Sequence, residues 1–235
     1  MTEPLAVAVM LTKDRPQMAA RAAAAFQAQT YGRKYLLTFD TSKRDESIGV
    51  LRNMANEQAA KVGADVLIHW DDDDVSHPNR IAEQVAHLQS SKASIVGYNQ
   101  LLFWRSTKAA GEAWIYRDVR STYALGTSLC YWLETWAERP FRDLGRTSGG
   151  TGEDTDFIKG RNVCAVPGFG AQDKTAVIQS AERLGDTFTP LPRLIASIHG
   201  GNTMPYDLED MMAHGSTEWK RAPEWDSYAR KVMEL

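Results

Sequence analysis

Apolar runs and helix-period segments alternate through the first half of the chain. Leu5 to Leu11 is a continuous apolar run that ends in Thr12-Lys13-Asp14-Arg15-Pro16, which predicts a buried parallel strand feeding a loop, with Pro16 placed to open a helix. The Ala-rich stretch to Gln29 is that helix. Lys34 to Asp40 predicts a second strand. Asp45 to Val62 carries Ile48, Leu51, Met54 and Ala55 at helical spacing and closes on Gly63. A third strand, Asp65 to Trp70, runs directly into Asp71-Asp72-Asp73-Asp74. Pro78 to Gln89 reads as a helix and Ala93 to Tyr98 as a fourth strand. The second half is less regular: Leu101 to Arg105 and Ala113 to Val119 predict strands, and Leu133 to Glu138 a short helix. A glycine-rich stretch, Arg146 to Gly152, precedes Glu153-Asp154-Thr155-Asp156-Phe157, which opens another helix.

Strands alternating with helices of about a dozen residues argue for an α/β fold, an open, mostly parallel sheet flanked by helices. In such sheets ligands bind outside the carboxyl ends of the strands. Three strands deliver polar residues to that edge: Thr12 to Arg15, Asp40 to Ser42, and Asp71 to Asp74. A length of 235 residues with 43% apolar and 24% charged residues suits one domain and excludes a disordered or fibrous chain. The formal net charge of -3 gives no global field for nucleic acid or an anionic bilayer. A local stripe of Lys34, Lys43, Arg44 and Arg105 could still contact nucleic-acid phosphates. Cys130 and Cys164 are far apart and read as small core residues, so neither a disulfide framework nor a zinc site is indicated. Leu5 to Leu11 is too short to span a bilayer or serve as a signal, and the expectation is a soluble cytoplasmic protein.

The aspartate run points to a cation. At an effective dielectric of about 20, two carboxylates roughly 6 Å apart repel by about 3 kcal/mol, so a partly buried run calls for compensation. Carboxylates select hard ions such as Mg²⁺ or Mn²⁺, which keep positions open for phosphates. A calcium EF-hand loop starting at Asp71 is excluded, because Ser76 stands where Gly is required and Ala82 where the bidentate Glu belongs. A magnesium phosphatase of haloacid dehalogenase type fits Asp71-Asp72-Asp73-Asp74-Val75 as its nucleophile loop. That family places the loop after its first strand, whereas two strands precede it here.

The order and spacing of several further segments resemble a GT-A type glycosyltransferase, similar to glycosyltransferase family 2, from Val7 to about Thr203. Gln29-Thr30-Tyr31 resembles the family's helix end, and Gly49-Val50-Leu51-Arg52-Asn53 its Arg-Asn helix. Trp70 to Pro78 resembles the block that carries the Asp-x-Asp motif, at Asp71 and Asp73. Gly126-Thr127-Ser128-Leu129 resembles an acceptor-side strand, Gly152 to Phe157 the segment with the catalytic base, and His199-Gly200-Gly201-Asn202-Thr203 a segment that often supplies a metal-ligating His. Phe39-Asp40-Thr41-Ser42 departs from the usual Asp-Asp-Gly-Ser.

The resemblance implies a single Rossmann-like domain, with residues 1–100 as the nucleotide-sugar half, 101–203 as the acceptor half and 204–235 as a tail. It implies metal-dependent, inverting transfer of a sugar from a nucleotide-sugar, UDP-sugar being the commonest class, to an acceptor hydroxyl. Asp73, with Asp74 as a substitute and His199 as a further ligand, would hold Mn²⁺ or Mg²⁺. Asp71 would touch the ribose or sugar, while Asp40, Thr12, Arg15 and Arg52 approach the nucleotide. Strand alternation turns Asp72 away. Asp154 would be the general base and Glu153 would orient it or the acceptor, with the glycine-rich stretch ordering over bound donor. The acceptor stays open among saccharide, protein, metabolite and hydroxylated DNA base. A catalytically silent binding module is the third reading. Trp132 and Trp136 share a helical spacing and are assigned to the core, with Trp104 and Trp114 left as sugar-stacking candidates.

Overall fold

The computed structural model describes residues 2–106, 111–145, 152–169, 191–199 and 217–233. The glycine-rich stretch 146–151 and residues 200–203, both singled out in the sequence, lie outside them.

Strand β1 (Ala6–Thr12) is flanked in parallel by β2 (Lys34–Asp40) and β3 (Val66–His69), with Val9 level with His69 and Thr12 level with Asp40. Helix α1 (Pro16–Gln27) makes the crossover from β1 to β2, and α2 (Ile48–Lys61), capped by Ser47, makes the crossover back to β3. The β3 register is short because the chain turns at Asp71 to Asp74 into the two-residue β4 (Val75–Ser76), and α3 (Arg80–Ser91) follows. These crossovers put the ends of β1, β2 and β3 at one edge, as the sequence predicts.

The second half is built around β5 (Ile95–Arg105). The two strands expected at 93–98 and 101–105 are this one element. Asn99 and Gln100 interrupt the apolar pattern, and the β5 pairing shifts register between Tyr98 and Gln100, which lets one strand serve two neighbourhoods. Its first part pairs with β7 (Cys130–Trp132) and β8 (Val163–Pro167), its second with β6 (Glu112–Asp118) and β9 (Leu194–Ile198). Helices α4 (Leu133–Glu138) and α5 (Glu153–Ile158) separate β7 from β8. Strand β10 (Thr217–Arg221) adds to β6, and α6 (Asp226–Met233) follows, so this stretch of the expected tail is part of the folded body.

Among the described residues, ten strands form one sheet. Strands β1, β2, β3, β5, β8, β9 and β10 run one way and β4, β6 and β7 the other, an open, mixed and mostly parallel sheet flanked by helices in a single domain. Alternation in β3 sends Leu67 to the side of α2 and Val66 and Ile68 to that of α1 and α3, giving a core on each face. Trp132 ends β7 and packs toward α1 and α3, whereas Trp136 lies in α4 and packs toward α2. The single helical face expected for the pair does not exist, because the chain changes from strand to helix between them. Trp104 is buried beside Ile195 and Trp225, and Trp114 bonds Glu112 through its indole N–H, 3.3 Å away.

Among the described residues no helix is long and apolar enough to cross a membrane. The expected basic stripe does not form: Lys34 begins β2 while Lys43 and Arg44 lie past its other end, and Arg105, on the far strand β5, sits 3.9 Å from Glu112.

Candidate active site

The site grows from the turn after β3. Asp14, between β1 and α1, holds a left-handed φ of 53°, a conformation aspartate tolerates better than most residues. From there Arg15 reaches the aspartate turn with both Nη atoms: Nη2 lies 2.9 Å from Asp72 Oδ1 and Nη1 3.1 Å from Asp73 Oδ2. Thr12 at the end of β1 donates its hydroxyl to Asp72 Oδ2 at 2.7 Å. Asp72 is therefore buried and turned inward, contrary to the strand-alternation expectation. The strand has ended at His69, and a turn has no period of two.

Asp73 Oδ2 also lies 2.9 Å from His199 Nε2, and Arg21 of α1 donates to the Asp73 carbonyl at 2.9 Å. Burial raises the Asp73 carboxyl, yet the His199 hydrogen bond and the Arg15 charge outweigh it and hold it below the usual carboxylate range. Asp74 accepts from the Thr127 hydroxyl and, at 2.9 Å, from the Ser197 N–H. Burial, and then the charges of Asp73 and Asp71, push it well above that range, against these two hydrogen bonds, which tie the turn to the Gly126 loop and β9.

A second acidic group faces this turn from α5. Arg52, buried on α2, lies 3.4 Å from Glu153 Oε1, 3.7 Å from Asp154 Oδ1 and 4.0 Å from Asp71 Oδ1. Burial works against its charge, but Asp154, Asp71 and Glu153 together hold its proton more firmly than usual. Asp154 is pushed well above the carboxylate range by burial and by Glu153, against the pull of Arg52. Among the described residues its Oδ1 is buried without a hydrogen-bond partner.

Two glycines admit α5 to this position. Gly152 begins the helix at a φ of 108°, and a Cβ on Gly126 would fall 1.8 Å from Asp154 Oδ2. At its other end α5 is held by Arg139, which donates to the carbonyls of Phe157 and Lys159 at 2.8 Å. Arg161 bonds the Phe157 carbonyl at 3.0 Å and stacks on the Phe157 ring. The acidic N-terminus and cation-capped C-terminus both suit the helix dipole.

Behind Asp154 stands a residue the sequence reading passed over. His69 Nδ1 donates to the Gly126 carbonyl at 2.7 Å, which makes Nε2 the acceptor for the Tyr131 hydroxyl at 3.2 Å, and Asn56 donates to that hydroxyl at 3.1 Å. Burial and then Arg52 keep His69 far below its ordinary pKa, hence neutral. Arg80, fully buried beneath the turn, ties the His69 and Thr127 carbonyls together at 2.8 and 2.9 Å. A polar residue at the inward, C-terminal position of an apolar strand was the available signal for His69. Thr127 lies in the Gly126 to Leu129 segment already singled out, but nothing in the sequence marked Arg21 or Arg80.

Between the two acidic groups lies a cavity of about 280 Å³. Of the residues singled out in the sequence, Arg15, Arg52, Asp71 to Asp74, Glu153 and Asp154 line it. Leu11, Ile48 and Phe103 supply apolar wall. Thr12 and His199 join it through their bonds to Asp72 and Asp73. Asp40 is not among the lining: it is exposed at the end of β2, held below its ordinary pKa by hydrogen bonds from Ser42.

No group of three or more acidic, His or Cys side chains converges as a metal site among the described residues. Asp73 Oδ2 and His199 Nε2 do converge, at 2.9 Å. This oxygen and nitrogen pair fits a hard divalent ion that takes its remaining ligands from a diphosphate.

No family model and no curated protein matches the chain. Solved structures do. S. aureus TarS 1-349 in complex with UDP-GlcNAc superposes with a TM-score of 0.54 at 10% identity, covering 84% of this chain and 60% of that one. The same protein in complex with UDP gives 0.50 at 11% identity, covering 83% and 61%. A mannosyltransferase, PcManGT from Pyrobaculum calidifontis, in complex with GDP-Man and Mn²⁺, covers 100% of this chain and 71% of its own at 11% identity, with a TM-score of 0.47. The chain spans about three fifths of the TarS chains it matches. The chain shares the fold of TarS 1-349, a mixed, mostly parallel open sheet flanked by helices.

Proposed function

We propose that the protein is a glycosyltransferase that moves a sugar from a nucleotide-sugar, of the UDP-sugar class, to an acceptor hydroxyl with inversion, as in family 2. The observation that carries this reading is the pairing in one cavity of two unlike acidic groups: a charge-compensated turn at Asp71 to Asp74 and a partly buried carboxyl at Asp154 whose Oδ1 has no hydrogen-bond partner among the described residues. The first suits a donor diphosphate and the second suits a proton.

Asp73 and His199 would hold Mn²⁺ or Mg²⁺, with Asp74 fixed behind them rather than ligating. When bound, the ion offsets charge that grows on the departing diphosphate. Arg15 is the side chain free to follow phosphate oxygens, and Asp71, at the cavity wall, faces the ribose or sugar. Thr12 acts through Asp72. Arg52, within reach of Glu153, Asp154 and Asp71, keeps the three carboxylates compatible. Asp40 reaches the nucleobase from the β2 edge.

In its ionised form Asp154 accepts the acceptor hydroxyl's proton as the oxygen forms its bond to the anomeric carbon and the nucleoside diphosphate leaves with the old bond's electrons. Its raised pKa strengthens it as a base near neutral pH. The same shift means that transfer rises with pH as Asp154 ionises.

The deciding experiment follows sugar transfer and diphosphate binding together in the wild type and Asp154→Asn. Loss of transfer with diphosphate affinity retained supports the reading, and near-normal transfer in the variant removes Asp154 from the role of base. Diphosphate binding without turnover in the wild type would favour a silent binding module. Release of phosphate from simple esters would favour the phosphatase, to which this fold lends no support.

A further inference from the structure

We propose that Arg15 is the resident counter-cation of the metal site, and that an incoming diphosphate draws it off Asp73 before a divalent ion is held there. The proposal rests on the assignment of Asp73 and His199 as the ligand pair and goes beyond it to the order in which the site fills. The guanidinium spans two carboxylates, with Nη2 2.9 Å from Asp72 Oδ1 and Nη1 3.1 Å from Asp73 Oδ2. That same Oδ2 is the atom 2.9 Å from His199 Nε2. The oxygen an ion would bind is thus already neutralised, and a metal arriving alone meets a positive charge on its own ligand.

The partners differ in freedom. The Asp72 and Asp73 side chains are 1% and 10% exposed and are fixed by Thr12, His199 and the turn, whereas the Arg15 side chain is 31% exposed. The arginine is therefore the member that can move. A planar guanidinium fork pairs with phosphate oxygens as well as with carboxylates, so a diphosphate in the cavity gives it a second partner. Once it has turned to the diphosphate, the Asp73 carboxylate no longer shares its charge with the guanidinium and can ligate the ion. By linkage, metal and diphosphate then raise each other's affinity by the same factor.

The test is a Mn²⁺ titration, read by the electron paramagnetic resonance of free Mn²⁺, on wild type and Arg15→Gln, without nucleotide and then with saturating UDP or GDP. Arg15→Gln is expected to bind Mn²⁺ alone about tenfold more tightly, the scale of one lost charge-assisted contact. The gain that the diphosphate confers on Mn²⁺ affinity is expected to shrink by about the same factor. Arg15→Lys keeps the charge but cannot span both carboxylates, and is expected to fall between. Melting temperatures check that each variant folds, and Asp73→Asn is carried alongside. Equal Mn²⁺ affinity in wild type and Arg15→Gln, with Asp73→Asn abolishing binding, overturns the role of Arg15 alone. Absence of Mn²⁺ binding in every arm, diphosphate included, overturns the ligand pair and the proposal with it.

Discussion

The aspartate turn after β3 and the acidic start of α5 use the same residue type toward opposite ends. In the turn, Asp72, Asp73 and Asp74 each have well-formed donors, from Thr12, Arg15, His199, Thr127 and the Ser197 N–H. At α5, Asp154 has donors nearby that are committed elsewhere: His69 Nδ1, 3.7 Å away, serves the Gly126 carbonyl, and Arg52 Nε lies closer to Glu153. Asp73 in the turn is held below the carboxylate range while Asp74 and Asp154 are both pushed above it, but Asp74 keeps donors on both oxygens and Asp154 Oδ1 has none among the described residues. Density of acidic residues does not distinguish them; the supply of donors does.

The largest expected effect breaks the α5 side. Asp154→Asn should lower sugar transfer by about 10²- to 10⁴-fold, the usual scale for a general base, with diphosphate affinity within about twofold. It should not cost stability. A carboxyl whose pKa is raised on folding favours the native state below its unfolded pKa, and that advantage is lost as pH rises through the folded value. Thermal melts of the variant should therefore match or exceed wild type, with the gap widening toward alkaline pH.

Next comes the hinge between the two regions. Arg52→Leu leaves Glu153, Asp154 and Asp71 without their shared cation, and chemical denaturation should show a loss of about 3 to 5 kcal/mol. Gly126→Ala sharpens the comparison geometrically, because its Cβ must displace Asp154. Transfer should fall by roughly 10²-fold, as for a displacement of about 1 Å, while metal-dependent diphosphate binding persists. Gly152→Ala is the smallest: its Cβ meets no atom within 4 Å, so only the backbone strain at a φ of 108° remains. The cost, read from the melting transition, should be about 1 kcal/mol.

The first half of the fold was legible because β1 and β3 are buried on both faces and its helices carry clear periods. Leu5 to Leu11 could scarcely be anything but a central strand, and the polar ends of β1 and β3 do meet at one edge. Legibility failed where tertiary pairing overrides local pattern. Asn99 and Gln100 look like a break, yet β5 runs through them because β6 and β9 supply partners beyond. Cys130 to Trp132 is too short to announce a strand and is held by β3 and β5 on either side.

At the site the same division holds. Asp71 to Asp74 and Glu153-Asp154 were visible from their position after a strand and at a helix start. Thr12, Arg15, Arg52 and His199 were visible too, but His69 and Arg21 were not, since they reach the acidic groups through pairings that no spacing encodes. Asp72 was misdirected because alternation was carried past the strand's end.

The most direct test of the division of labour is a thermal-shift comparison of wild type, Asp73→Ala and Asp154→Asn with UDP, GDP, CDP, ADP and dTDP, each with Mn²⁺ or EDTA. A ligand at about 100 times its Kd adds roughly 2.7 kcal/mol to the native state. A Mn²⁺-dependent shift is expected with one diphosphate in wild type, kept in Asp154→Asn and lost in Asp73→Ala. A shift that survives Asp73→Ala, or that vanishes equally in both variants, would contradict this division of labour.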